Sequence, residues 1–273
     1  SWPSSGRVIP QILVRISDIA KHFERRGKPR FCRCTRLGGE IFQGNALIMP
    51  APSFINATDH AMKTLADIRQ DYAAQSLDER DCLPHPMAQF ECWLEAALTA
   101  EVAEPTAMLV STVSPEGCPA ARVVLLKGVE QQQLVFYTNY ESRKGQHLAA
   151  NPAIAVTFFW PELERQVNIE GVVSRVAPEV SDTYFASRPY KSRVGAWASE
   201  QSRPISSKNV VMARFAQFAA THLMSVPRPP HWGGFAITPH RFEFWQGRPS
   251  RLHDRILYLP DAEQGWVLSR LAP

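Results

Sequence analysis

The residues best suited to chemistry lie near the end of the chain. In RLHDR, Arg251, His253 and Arg255 alternate, so an extended backbone would aim all three at one face. Three potentially positive groups there repel one another unless water or an anion compensates them. A planar guanidinium fork suits phosphate, and an imidazole can orient a polar ring substituent. The neighbouring FEFWQG supplies Trp245 and two Phe. An aromatic wall beside basic groups fits a flat anionic ligand better than a solvated strand face.

Three other segments carry cations in suggestive places. In ARVVLLKG, Arg122 and Lys127 flank Val123, Val124, Leu125 and Leu126. Their odd spacing puts them on opposite faces of a regular strand. One ligand could use both only if the strand bends; taken alone, snorkelling from the strand ends is the simpler reading. In YTNYESRKG, Ser142 reads as a helix N-cap with Arg143 and Lys144 in the first turn, where the dipole disfavours cations. Positive side chains beside free backbone N–H groups make an anion site, and phosphate is the expected occupant. In TYFASRPYKS, Tyr184, Arg188 and Ser192 recur at four-residue steps, but Pro189 should end the helix near Arg188. Gln166, Gln201 and Ser202 are neutral hydrogen-bonders that could read a ring edge, with plain surface residues as the default.

The elements that must position these groups follow from the pattern. Met62, Leu65, Ile68 and Tyr72 mark a short amphipathic helix; Met87, Phe90, Trp93, Leu94, Ala97 and Leu98 mark a second. The period then changes to strands at 107–113, 121–129, 134–139, 153–160 and 165–176, with a SPEG turn at 114–117. A short helix should run from Ser142 to about Asn151. Helices are expected around 178–187 and 206–222, then strands at 234–238, 241–247 and 251–259. Closely spaced strands with few intervening helices predict an antiparallel barrel, mainly β with peripheral helices, rather than a Rossmann sheet. No GxGxxG, P-loop or internal repeat is present.

Charge divides the chain. Residues 1–61 hold nine Lys/Arg against four Asp/Glu, whereas residues 62–273 hold 21 against 22. The first segment lacks a sustained period and reads as an upstream extension or a basic tail; the body from 62 to 273 is one domain. Because the body is nearly neutral, no nucleic-acid partner is expected for it. Five scattered cysteines argue against a disulfide framework, and the lone Cys32-x-Cys34 argues against a metal site. No apolar run approaches a membrane span and the opening residues lack a signal-peptide pattern, so the expectation is a soluble, cytoplasmic protein.

Together, RVVLLK, FYTNYESRKG, ERQVNIEG, YFASRP, GAWASEQS, WGGF, EFWQG, RLHDR and the terminal RLAP resemble the pyridoxine 5′-phosphate oxidase family over residues 62–273. The resemblance implies a split β-barrel homodimer of antiparallel Greek-key type, with FMN at the subunit interface. It implies an oxidase that makes pyridoxal 5′-phosphate from the phosphorylated alcohol or amine and reduces oxygen to hydrogen peroxide. Carried onto matching positions, FMN would contact Arg122 to Lys127 (Arg122, Val123, Val124, Leu125, Leu126, Lys127), Tyr137, Thr138, Arg143, Lys144, Gln166, Gln201, Ser202, Trp245 and Arg255. Substrate would contact Lys127, Tyr184, Arg188, Ser192, Arg251, Leu252 and His253, with Arg69 and Tyr72 as a lid. Arg251 and His253 would be the catalytic pair. Arg193 follows Ser192 where many relatives carry Gln, the loop DERDCLPHP is slightly rearranged, and Glu104 stands where some have Asp. A flavin reductase and a non-catalytic flavin or pyridoxal phosphate carrier are the alternatives.

Overall fold

In the computed structural model of the chain, the described residues are Tyr72 and residues 75–273. The expected helix at 62–72 and the lid residue Arg69 lie outside them, Tyr72 excepted.

Nine strands form one antiparallel sheet: β1 Ala107–Val113, β2 Pro119–Leu125, β3 Gly128–Glu130, β4 Gln133–Asn139, β5 Ala153–Trp160, β6 Arg165–Arg175, β7 Trp232–Gln246, β8 Asp254–Asp261 and β9 Gly265–Arg270. Their spatial order is β2-β1-β5-β6-β7-β4-β3, with β8 pairing β7 and β9 pairing β8. The expected mainly β, antiparallel architecture is therefore present, as a curled half-barrel sheet. Strict alternation drives it: in β5, Ile154, Val156, Phe158 and Trp160 are buried, while the residues between them are exposed or half-buried. The helix α1 (Pro86–Thr99) lays Met87, Phe90, Trp93 and Ala97 of its expected stripe on this core, with Leu94 partly buried against it, whereas Leu98 is exposed. Phe90 meets Phe158 at 4.9 Å and Trp93 meets Phe244 edge-on at 5.2 Å. Fully burying one such side chain contributes roughly 1.5–3 kcal/mol.

Two expected strands, 234–238 and 241–247, are one 15-residue strand, β7. Its first half pairs β4 and its second half pairs β8, while β6 follows it throughout. The β6–β7 register shifts between Glu170 and Gly171. A Cβ on Gly171 would lie 2.5 Å from the Thr238 carbonyl oxygen, so only glycine permits the backbones to approach there. The irregularity falls between the half of β7 that pairs β4 and the half that pairs β8.

The expected strand 121–129 is broken instead. Leu126 donates its N–H to Thr106 and Lys127 donates to Val135, so the backbone changes partners between β2 and β3. The expected strand 251–259 also starts late. Pro249–Arg251 form a 3-10 turn in which Ser250 and Arg251 have φ of 57° and 61°.

Among the described residues, four further α-helices flank the sheet: α2 Arg143–Ala150, α3 Pro178–Ser187, α4 Tyr190–Ala198 and α5 Lys208–Thr221. Pro189 ends α3 before Arg188, as expected, and also opens α4, which the sequence pattern did not indicate. A second core of Phe185, Val194, Val226 and Trp232 holds α3, α4 and α5, while Leu148 of α2 joins the main core. Among the described residues, no helix is long and apolar enough to cross a membrane.

Candidate active site

A cavity of about 530 Å³ opens where β2, β4, α2, α3 and α4 converge. Lys144 enters it from the first turn of α2. Ser142 caps that helix by accepting from the Gly145 N–H at 3.3 Å. Gly145 is required because a Cβ would fall 2.1 Å from the Tyr140 carbonyl oxygen, the carbonyl against which the helix start is packed. Lys144 is 8% exposed and donates from Nζ to Gln201 Oε1 at 2.8 Å and Thr138 Oγ1 at 3.0 Å. Burial, reinforced by the Arg122 charge, lowers its pKa to about 8.

Arg122 reaches inward from β2 and donates to Thr112 Oγ1 at 2.7 Å and the Val110 carbonyl at 3.3 Å. Burial and then the Arg143 charge depress its ionisation, although a guanidinium stays charged. Arg143 itself is exposed and does not line the cavity. The break between β2 and β3 brings Lys127 to the same cavity as Arg122, despite their odd spacing. Burial lowers the Lys127 ammonium, Glu104 opposes that shift, and Arg188 adds to it.

Tyr184, Arg188 and Ser192 all line this cavity even though Pro189 divides them between two helices. Tyr184 stacks on Tyr137 at 3.9 Å, and Trp232 continues the parallel stack at 5.5 Å from Tyr137. The Arg188 guanidinium sits 4.7 Å from the Trp232 ring centre, and its NH1 is buried with no hydrogen-bond partner. No lining residue is acidic. A buried guanidinium nitrogen without a partner, in a cationic cleft with aromatic walls, is chemically suited to anionic oxygen. The donor set thus fits a phosphorylated flat cofactor and a phosphorylated ring.

Val123, Val124, Leu125, Thr138 and Gln201 also line the cavity, whereas Leu126 is buried in the core. Ser202 is exposed and does not line it. Sequence reasoning assigned nothing to Trp232 itself. The signal was its two following glycines: a Cβ on Gly233 would strike the Tyr140 hydroxyl at 2.1 Å.

The remaining site residues form a second patch that does not line this cavity. Trp245 on β7 meets His253 at 4.7 Å, and Tyr72 packs edge-on against both rings at 5.6 and 5.8 Å. His253 Nδ1 accepts from the Arg248 N–H at 3.1 Å. Gln166 and Arg255 are the cross-strand neighbours of Trp245. The expected row of three cations does not form. Arg251 belongs to the 3-10 turn and is exposed, as is Leu252, while Arg255 is paired with buried Glu243 at 2.8 Å. The left-handed turn breaks the alternation, and the carboxylate supplies the compensation that the pattern left open. Among the described residues, no group of three or more His, Cys, Asp and Glu could hold a metal ion.

Known proteins resemble this chain in sequence and in fold. The family model described as pyridoxamine 5′-phosphate oxidase matches residues 94–222, and that of the pyridoxine 5′-phosphate oxidase C-terminal dimerisation region matches residues 232–273. The pyridoxine/pyridoxamine 5′-phosphate oxidase of Chromobacterium violaceum is 64% identical over 209 residues, covering 77% of this chain and 98% of the relative. That of Actinobacillus succinogenes is 59% identical, covering 77% and 99%. The crystal structure of PhzG from Burkholderia lata 383 in complex with tetrahydrophenazine-1-carboxylic acid superposes with a TM-score of 0.68 at 28% identity, covering 71% of this chain and 95% of that one. A pyridoxamine 5′-phosphate oxidase-related, FMN-binding protein of Nostoc punctiforme shares the fold, with a TM-score of 0.56 at 17% identity, covering 67% and 97%. With 59–64% identity spanning nearly the whole of these relatives and two matched family regions, the chain belongs to the pyridoxine/pyridoxamine 5′-phosphate oxidase family.

Proposed function

We propose that the protein is an FMN-dependent oxidase that converts pyridoxine or pyridoxamine 5′-phosphate into pyridoxal 5′-phosphate. The observation that carries this reading is the cavity itself: Arg122, Lys127, Lys144 and Arg188 converge with no acidic lining residue, beside a Tyr137–Tyr184 stack. Two phosphates would find separate partners there. Arg122 and Lys144 would hold the phosphate of FMN, with Thr138 and Gln201 as neighbouring hydrogen-bonders. Lys127, Tyr184, Arg188 and Ser192 would hold that of the substrate. The chemistry supplied by bound FMN is acceptance of a hydride from substrate C4′ and return of the electrons to molecular oxygen as hydrogen peroxide. Binding energy collected at the substrate phosphate, remote from C4′, orients the reacting carbon.

Within one chain the site is incomplete, because Trp245, Arg251, His253 and Arg255 stand apart from the cavity. All four fall in the region matching the dimerisation model. The sheet also leaves Val123 63% and Phe159 53% exposed, with Leu109 and Leu125 beside them in the sheet order. An apolar sheet face of that kind favours a second copy. In the homodimer we infer, the second patch of one copy completes the cavity of the other, and Arg251 and His253 orient the pyridine ring and stabilise charge developing near C4′.

The test is a visible spectrum of the FMN-reconstituted protein before and after anaerobic addition of pyridoxine 5′-phosphate. Bleaching that reverses on admitting oxygen, with aldehyde formed, is expected. A flavin spectrum that stays oxidised would shift the assignment to a reductase or carrier.

A further inference from the structure

Behind the cavity wall lie two buried polar side chains that line no cavity of the site. Thr112 on β1 is 1% exposed, and His147 on α2 is 5% exposed. Arg122 is the cross-strand partner of Val110, and its side chain runs along β1 to Thr112, two residues further on the same face. NH1 of Arg122 donates to Thr112 Oγ1 at 2.7 Å. The same oxygen lies 3.1 Å from His147 Nδ1 and 3.5 Å from the Ala120 carbonyl.

The proton inventory of these atoms is restrictive. A guanidinium has no acceptor, so the contact with Arg122 must use a lone pair of the hydroxyl. The hydroxyl keeps one proton and a second lone pair, so it meets His147 Nδ1 either as donor to a bare nitrogen or as acceptor from an N–H, its proton then going to the Ala120 carbonyl. In either arrangement each member fixes the next: His147 turns the hydroxyl, and the hydroxyl presents a lone pair to Arg122.

Such an anchor has a physical purpose here. Arg122 is repelled by Arg143, and it in turn raises the cost of charging Lys144. With no anion bound, that repulsion drives a long guanidinium side chain toward solvent. A short, charge-assisted hydrogen bond to a buried acceptor opposes the drift and spares the ordering cost when an anion binds.

We infer that Thr112, oriented by His147, is a positioning residue that holds Arg122 ready for the cofactor phosphate. This inference rests on the reading of Arg122 and Lys144 as the FMN phosphate site.

The experiment compares FMN with riboflavin, which has the same ring system and no phosphate. Dissociation constants for both are measured by flavin fluorescence quenching on the cofactor-free full-length chain, for the wild type, Thr112→Val, Thr112→Ser, His147→Leu and His147→Asn. The wild type should favour FMN. Thr112→Val should weaken FMN about tenfold, the scale of one lost hydrogen bond to a charged group, and leave riboflavin unchanged. Thr112→Ser keeps the hydroxyl and should match the wild type. Asn can accept or donate near the Nδ1 position, so His147→Asn should also match it, while His147→Leu should weaken FMN alone. An unaltered FMN constant in Thr112→Val, or equal losses for both flavins, would overturn the inference. Should Thr112→Val not fold, the Leu and Asn variants of His147 decide: equal FMN constants for the two overturn it. A wild type that does not distinguish FMN from riboflavin would instead remove the phosphate-site reading beneath it.

Discussion

Lys144 Nζ donates to Gln201 Oε1 at 2.8 Å, joining the first turn of α2 to the loop after α4 across the mouth of the cationic cavity. Two segments 57 residues apart are held by an ammonium whose pKa burial lowers to about 8 from the ordinary 10.5. That link makes the cavity sensitive to alkaline pH in two opposite ways.

An anion binds the ammonium form, so FMN affinity should fall as pH rises through about 8. For one linked proton the slope approaches about tenfold per pH unit. The stability of the cofactor-free protein runs the other way. Between about 8 and 10.5 the unfolded chain binds more protons than the folded one, so stability should rise with pH across that window. Lys144→Met should flatten both profiles, measured as FMN dissociation constant and thermal midpoint from pH 7 to 10.5. A wild-type FMN profile that is already flat would remove Lys144 from the phosphate site.

Arg188 offers a cleaner separation of binding from chemistry. Its NH1 is buried and unpartnered, and its plane is held over Trp232. Arg188→Ala should raise KM for the phosphorylated substrate by about one to two orders of magnitude, the worth of a charge-assisted hydrogen bond, with a smaller change in kcat. Steady-state kinetics with pyridoxine 5′-phosphate decide it, and an unchanged KM would count against a phosphate role.

Much of this architecture was legible because it rests on local pattern. The alternation of 107–113 and 153–160 gave β1 and β5 to the residue, and the Met87–Ala97 stripe gave the buried face of α1. Ser142 announced α2 through cap chemistry alone. What escaped depended on distant partners or on backbone torsion. Nothing local in ARVVLLKGV says that Leu126 bonds back to Thr106 while Lys127 bonds forward to Val135, or that Lys127 and Arg122 line one cavity. Nothing local in RLHDR says that Arg251 lies at φ of 61°. Likewise, Thr112 and His147 look like an ordinary strand residue and an ordinary helix residue until β1 and α2 pack together.

The start of α2 is a backbone contact as much as a cap. Gly145→Ala places a methyl carbon 2.1 Å from the Tyr140 carbonyl oxygen, and a backbone atom cannot step aside as a side chain could. We expect a loss of roughly 1–3 kcal/mol in stability, the usual cost of overpacking, read as a lower calorimetric midpoint. Because Lys144 is the preceding residue, FMN affinity should fall as well. A variant with unaltered midpoint and affinity would show that α2 shifts freely at this point.

The division of the site between two patches makes the most demanding prediction. Arg251→Ala in both copies should lower kcat/KM by the equivalent of roughly 2–4 kcal/mol, as expected for a group that stabilises developing charge. Lys144→Met should be impaired for a different reason, loss of cofactor. If the cavity of one copy is completed by the Trp245–His253 patch of another, a mixed dimer concentrates both lesions in one site and leaves the other site intact. Random mixing of equal amounts should then restore about a quarter of the wild-type sites, since half the dimers are mixed and each has one good site of two. Co-expression with two affinity tags isolates the mixed dimers, in which about half the sites should be active, and the activity and flavin content of that doubly tagged fraction read this directly. Activity in that fraction no greater than in the two parent variants would mean that Arg251 serves its own chain's cavity, and the composite site would have to be abandoned.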